Sequence, residues 1–196
     1  YNLLIKSIKT LSKQINLILV EPSGPINIGS VARLCENFGV NQLRLVAPRC
    51  NYNNEEAKRM AVKGKEVLAN AEIFPCLLDA IYDCSRVIAT AGRVEHGEIP
   101  LCKPKEALNW SLKASSTSSI GLVFGREDRG LTNQELLLAH KVLNLQTMSN
   151  YPSLNLSHAV GIVLHELRCC EAQTMTFDSK NTFGKDLATP IQINDC

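Results

Sequence analysis

Five short runs of apolar, mostly branched residues recur along the 196-residue chain, all but the last closed within two residues by proline, glycine or charge. They are Ile15 to Val20 (INLILV), Leu43 to Val46, Arg86 to Ala91 (RVIATA), Ile120 to Phe124 (IGLVF) and Val142 to Leu145. Runs this short and this continuous suit strands buried on both faces, the usual state of parallel sheets. Helical spacing fills the gaps between them. Asn27 can cap a helix through Phe38, with Ile28, Val31, Ala32, Leu34 and Cys35 on its apolar side and Gly39 as C-cap. Further helical patterns cover Ala57 to Ala71, Leu77 to Cys84, Pro104 to Lys113, Asn133 to His140 behind a Thr132 cap, and Leu154 to Glu171. Ile73-Phe74 adds a short strand, and Val94 to Lys103 reads as a loop. The alternation predicts an α/β fold with a largely parallel sheet and helices on both faces.

One domain is expected over residues 1–172, followed by a loosely held tail at 173–196 where the periodicity fades. A net charge of +2 announces no globally basic surface, so any nucleic-acid contact must be local. Lys58, Arg59, Lys63, Lys65, Arg126 and Arg129 are the candidates for it. No run of eighteen apolar residues occurs, so no membrane span is expected. The eight cysteines include no C-x-x-C pair. They read as free thiols of a reducing cytosol, several of them buried (Cys35 and Cys76 sit beside apolar residues), and the expected location is cytoplasmic. No metal is expected. His165-Glu166 fails as a zinc-protease motif because position 169 is Cys.

Four loops at strand ends carry the polar chemistry: Pro22 to Asn27, Thr90 to Arg93, Gly125 to Gly130, and Gln146 to Asn155. In parallel sheets, ligands bind beyond the carboxyl ends of the strands. Gly24 to Ser30 has the glycine spacing of a phosphate loop but lacks its lysine, which excludes nucleotide hydrolysis there. No G-x-G-x-x-G follows a strand and no G-x-S-x-G elbow occurs. The last loop runs directly into an apolar helix that reads as buried. Its Ser153 and Asn155 either cap that helix or, with its free N–H groups, face a polar ligand.

Three of these loops carry motifs in a familiar order. Asn27-x-Gly29-x-x-x-Arg33 with Phe38-Gly39, then Leu122-Val-Phe-Gly125-Arg-Glu127-Asp-Arg-Gly130-Leu131, then Pro152-Ser153-Leu154-Asn155-Leu156-Ser157-x-Ala159, resemble the three motifs of the SpoU (TrmH-type) RNA 2′-O-ribose methyltransferases of the SPOUT superfamily. Leu145-Gln146-Thr147 and Tyr151 to Leu156 are most similar to the TrmJ group, which methylates the ribose at position 32 of the tRNA anticodon loop.

The resemblance implies a C-terminal trefoil knot, S-adenosylmethionine as cofactor, tRNA as substrate and a homodimer. It implies cofactor contacts from Thr90, Ala91, Gly92, Gly125, Leu145, Pro152, Ser153 and Leu154, with Gly92 and Gly125 letting backbone approach the adenosyl group. It makes Arg33 the residue that activates the 2′-hydroxyl, as base or as stabiliser of the developing oxyanion. Asn27, Glu127 and Asn155 would orient Arg33 and substrate, with Ser153 in the same network. Two other readings stay open: a non-catalytic SPOUT-fold module that binds RNA or senses a ligand, and the same chemistry on another tRNA position or on rRNA.

Overall fold

Residue parity along each strand decides which helices it meets. The computed structural model describes residues 13–40, 42–92, 99–115, 118–148, 150 and 153–176. In chain order these form β1 (Gln14–Val20), α1 (Pro25–Phe38), β2 (Gln42–Val46), α2 (Glu55–Ala61), α3 (Lys65–Ala69), β3 (Glu72–Phe74), α4 (Leu77–Ile81), β4 (Arg86–Ala91), β5 (Leu101–Cys102), α5 (Pro104–Leu112), β6 (Ser119–Phe124), α6 (Asn133–Leu137), β7 (Lys141–Asn144) and α7 (Leu156–Thr176). The seven strands make one sheet in the order β3-β2-β1-β6-β4-β7-β5, with every adjacent pair parallel.

On one face, Leu17, Leu19, Leu43, Leu45, Ile88 and Leu122 pack against α1, α2, α3, α5 and α7. On the other, Ile18, Val20, Val46, Val87, Ala89 and Val123 meet the shorter α4 and α6. Helices therefore cover both faces, unequally. β6 lies between β1 and β4, pairing Leu19 with Phe124 and Ala89 with Val123, while Ala91 of β4 pairs with Asn144 of β7. The carboxyl ends of four central strands thus come out side by side, and the loops that follow them share one edge.

Several expectations are corrected. The residue at the N-cap of α1 is Gly24, with Pro25 opening the helix, so Asn27 lies inside the first turn and its side chain is free for other work. The pattern from Ala57 to Ala71 is not one helix. It breaks at a 3-10 turn over Val62–Gly64, where Val62 holds φ 51, a costly value for a β-branched residue. Within the expected loop Val94 to Lys103, Leu101–Cys102 forms the edge strand β5 beside β7. Cys76 is exposed, not buried, whereas Cys35 and Cys170 are buried. The closing helix starts at Leu156 and runs to Thr176, and it is one-sided: Leu156, Val160, Val163, Leu164, Leu167 and Cys170 are buried while Ile162 is 47% exposed. Residues 177–196 of the expected tail lie outside the described residues. No described helix is long and apolar enough to cross a membrane.

Two glycines set how closely α1 can be approached. A Cβ on Gly29 would stand 2.2 Å from the carbonyl oxygen of Ala57, and one on Gly64 would stand 2.3 Å from that of Ala32. The obstacles are backbone atoms, which cannot swing away as a side chain can. Gly29→Ala is therefore expected to lower stability by about 1–3 kcal/mol through overpacking. A urea midpoint unchanged from the wild type would contradict it.

Candidate active site

The N-terminal turn of α1 leaves backbone N–H groups that need acceptors, and they find one in a different part of the chain. Glu127, just past β6, accepts from the N–H of Ser23 at 3.1 Å, the N–H of Gly24 at 3.1 Å and the hydroxyl of Ser23 at 3.1 Å. A carboxylate there also complements the positive end of the helix. Burial alone would raise the pKa of Glu127, but bonds from Asn27 and from the N–H groups of Glu127 itself, Ser23 and Gly24 outweigh it and hold the group below its ordinary range.

The same carboxylate begins a chain of side-chain amides. Asn27 Nδ2 donates to Glu127 Oε1 at 3.1 Å, and Asn155 Nδ2 donates to Asn27 Oδ1 at 3.0 Å. Asn155 Oδ1 then accepts from the N–H of Ser157 at 2.9 Å and from its hydroxyl at 2.7 Å. Asn155 thus caps α7 and reaches α1 at once, so the capping reading of its position holds. Three expected site residues, Asn27, Glu127 and Asn155, are brought together across more than a hundred residues of sequence.

Arg33 and Ser153 are not in that chain of bonds. Arg33 lies further along α1, exposed, in a groove shared with Met60, Ser157, His158, Gly161 and Ile162. Ser157 alone belongs both to the amide chain and to this groove. Ser153 instead lines a hollow of about 280 Å³ at the carboxyl edge of the sheet, with Thr90, Ala91, Gly92, Gly125, Leu145 and Leu154. Seven of the eight expected cofactor residues therefore converge on one hollow, and Pro152 lies outside the described residues. The Thr90 hydroxyl is turned to the carbonyl of Val123 at 3.2 Å, while Leu145 and Leu154 offer apolar walls.

The two glycines differ. A Cβ on Gly92 would meet nothing within 4 Å, so its backbone borders open space. A Cβ on Gly125 would stand 2.3 Å from the carbonyl carbon of Gly130, so Gly125 is required by its own loop. That loop folds back on itself through paired backbone bonds between Arg126 and Gly130, with Gly130 at φ 71.

Arg126 was a candidate for RNA contact, and its surroundings overturn that. It is 8% exposed and gives both terminal nitrogens to Glu135 at 2.9 Å, while also contacting Glu21. Glu135 in turn completes a capping box with Thr132 at the start of α6. The bond from Arg126, with burial opposing and Arg49 assisting, takes the Glu21 carboxyl from an ordinary 4.5 to about 2. Sequence reading missed Glu21 and Glu135. Glu21 had a signal, as the charged residue that stops the first apolar run.

Comparison with known proteins adds a family. Residues 14–165 match the model of the SpoU rRNA Methylase family. The chain is 40% identical over 158 residues to a tRNA (cytidine-2′-O-)-methyltransferase TrmJ of Methanocaldococcus jannaschii, a match covering 78% of this chain and 66% of that one. It therefore spans just under two thirds of that relative's length. Among solved structures, TrmJ from Z. mobilis superposes with a TM-score of 0.73 at 34% identity, over 80% of this chain and 69% of that one. AviRb from Streptomyces viridochromogenes, a SpoU methyltransferase in complex with AdoMet, shares the fold with a TM-score of 0.65 at 15% identity, over 83% of this chain and 62% of that one.

Proposed function

The chain belongs to the SpoU rRNA Methylase family, and from that premise we propose that it methylates a ribose 2′-hydroxyl of tRNA, in the anticodon loop at position 32. The observation that carries this reading is the junction at the sheet's carboxyl edge. There the ends of β4, β6 and β7 and the start of α7 enclose one hollow, beside the amide chain that joins Glu127 to α1 and α7. The similarity to proteins named TrmJ supports tRNA as the substrate class.

S-adenosylmethionine suits the hollow. Leu145 and Leu154 supply the apolar walls an adenine needs, and the open space beside Gly92 lets a ligand lie against backbone. Bound there, the cofactor supplies a methyl group already activated on a sulfonium. The protein's own task is to hold the ribose in line and to ease the departure of the 2′-hydroxyl proton to solvent as the methyl leaves sulfur for oxygen. We assign Arg33 to the second part. A guanidinium is a poor proton acceptor, so its main contribution is to lower the energy of the developing 2′-oxyanion. Asn27, Glu127 and Asn155 fix the spacing between the starts of α1 and α7, hence between the Arg33 groove and the hollow. In this reading the chain works as a homodimer, with a trefoil knot near the C-terminal end of the domain.

The deciding measurement is transfer of labelled methyl from S-adenosylmethionine to unmodified tRNA, with the product mapped by nucleotide. The expected mark is a 2′-O-methyl group in the anticodon loop. A protein that binds the cofactor and methylates no RNA would instead be a binding module of the same fold. A mark on rRNA alone would move the chemistry to another substrate.

A further inference from the structure

Three guanidinium groups converge on one carboxylate at the carboxyl edge of the sheet. Arg126 holds Oε1 of Glu21, Arg49 contacts Oε2, and Arg129 Nη2 lies 3.8 Å from that same Oε2. Glu21 presents this carboxylate from φ 45, a backbone state that a non-glycine residue keeps only where its surroundings hold it. Arg49 is tied to the same turn by its N–H, which donates to the carbonyl of Pro22 at 2.9 Å.

The charges in this cluster do not balance. Arg49, Arg126 and Arg129 face Glu21 and Glu135, which leaves one positive charge in excess. Arg126 is committed to both carboxylates and is buried, with 7% of its side chain exposed. The excess therefore sits on the two outer side chains, 47% exposed in Arg49 and 56% in Arg129. Glu127 and Asp128, in the same loop as Arg129, carry the opposite sign but are not the partners of Arg49 or Arg129, whose ion pairs among the described residues go to Glu21. Exposed ion pairs of this kind contribute little stability, so the outer guanidiniums can be re-aimed at small cost. Glu21 meanwhile keeps Arg126.

We propose that Arg49 and Arg129 clamp one backbone phosphate of the RNA at the outer rim of the hollow, with Glu21 holding both guanidiniums in place until it arrives. The proposal rests on the reading of the chain as an enzyme of RNA. Guanidinium groups match phosphate oxygens in a two-pronged geometry that a lysine cannot reproduce. Arg129 borders the hollow while Arg49 does not, so the pair straddles the hollow's rim. A backbone contact of this kind positions the RNA without reading its sequence.

The test is binding of fluorescent, unmodified tRNA as a function of salt, with S-adenosylmethionine affinity measured on the same samples. For the Arg49→Ala/Arg129→Ala chain, the slope of log affinity against log salt is expected to be shallower by about 0.7–0.9, the value for one phosphate. Affinity falls about equally for RNAs of different sequence, and the Arg49→Ala chain, whose substitution leaves the lining of the hollow intact, binds the cofactor as before. Arg49→Lys/Arg129→Lys should recover the slope, because the charge returns. Should the double alanine chain fail to fold, Arg129→Gln alone carries the same comparison. An unchanged slope in folded variants overturns the clamp. So does a loss of cofactor affinity with the slope retained, which would give the anion site to the methionine carboxylate. Wild-type protein that binds no RNA overturns the enzymatic reading itself, and the clamp with it.

Discussion

Methyl transfer by an Arg33→Ala chain is expected to fall by about two to three orders of magnitude, with S-adenosylmethionine affinity unchanged. The two halves of this result follow from where Arg33 stands. It is exposed on α1, forms no ion pair among the described residues, and shares a groove with Ser157 and His158 and not with Thr90, Gly92 or Leu154. Its removal therefore disturbs neither the packing of α1 nor the lining of the hollow. What is lost, under the proposed role of Arg33, is the positive charge that would stabilise the developing 2′-oxyanion. Such donors are worth about 2.7–4 kcal/mol of barrier in other enzymes. Arg33→Lys restores the charge without the planar fork and should recover part of the rate. Single-turnover kinetics beside a cofactor titration separates the terms. Near-normal turnover in Arg33→Ala would remove Arg33 from the chemistry.

The largest expected loss of stability belongs to Arg126→Ala, at about 3–5 kcal/mol. Alanine would leave Glu135 without its ion-pair partner and Glu21 with only the outer Arg49 and Arg129. Glu135 would also lose the partner that steadies the capping box of α6. The acid limb offers an independent check. The folded pKa of Glu21 is depressed from 4.5 to about 2, so its stabilising contribution is complete above pH 4.5 and is lost as pH falls toward 2. Without Arg126, the first of the causes of that depression, this acid-dependent loss should shrink. Urea midpoints at neutral pH and at stepped pH below 5 test both parts. A variant within about 1 kcal/mol of wild type would mean that the two carboxylates find other partners.

Much of the sheet was legible because buried parallel strands leave compact apolar runs. RVIATA coincides with β4 from Arg86 to Ala91, and INLILV and IGLVF lie within β1 and β6. What escaped lacked such a signal. β5 is two residues long and is recognisable only by pairing with β7. The break at Val62 falls beside Gly64, where any Cβ would collide with the backbone of Ala32, a constraint between segments that periodicity cannot register. The site was legible as a set of motifs and not as a geometry. Asn27, Glu127 and Asn155 do meet, but the expectation that they would hold Arg33 assumed one cluster where two hollows lie side by side. Arg126 looked like a surface charge because its partners, Glu21 and Glu135, lie in two other segments.

The amide chain from Glu127 to α7 has a sense of direction, and the carboxylate is what confers it. An ionised carboxylate can only accept, so Asn27 must turn its NH2 toward Glu127 and its oxygen toward Asn155. Asn155 must then offer its own NH2 to Asn27, which leaves its oxygen, and only its oxygen, to greet the N–H of Ser157. Each amide is oriented by the one before it, like a row of compass needles set by a magnet at one end. Put glutamine in place of Glu127 and the row keeps its length and every member, but the first needle is free to point either way. The start of α7 is in this sense wired to the ionisation of a side chain that belongs to another loop.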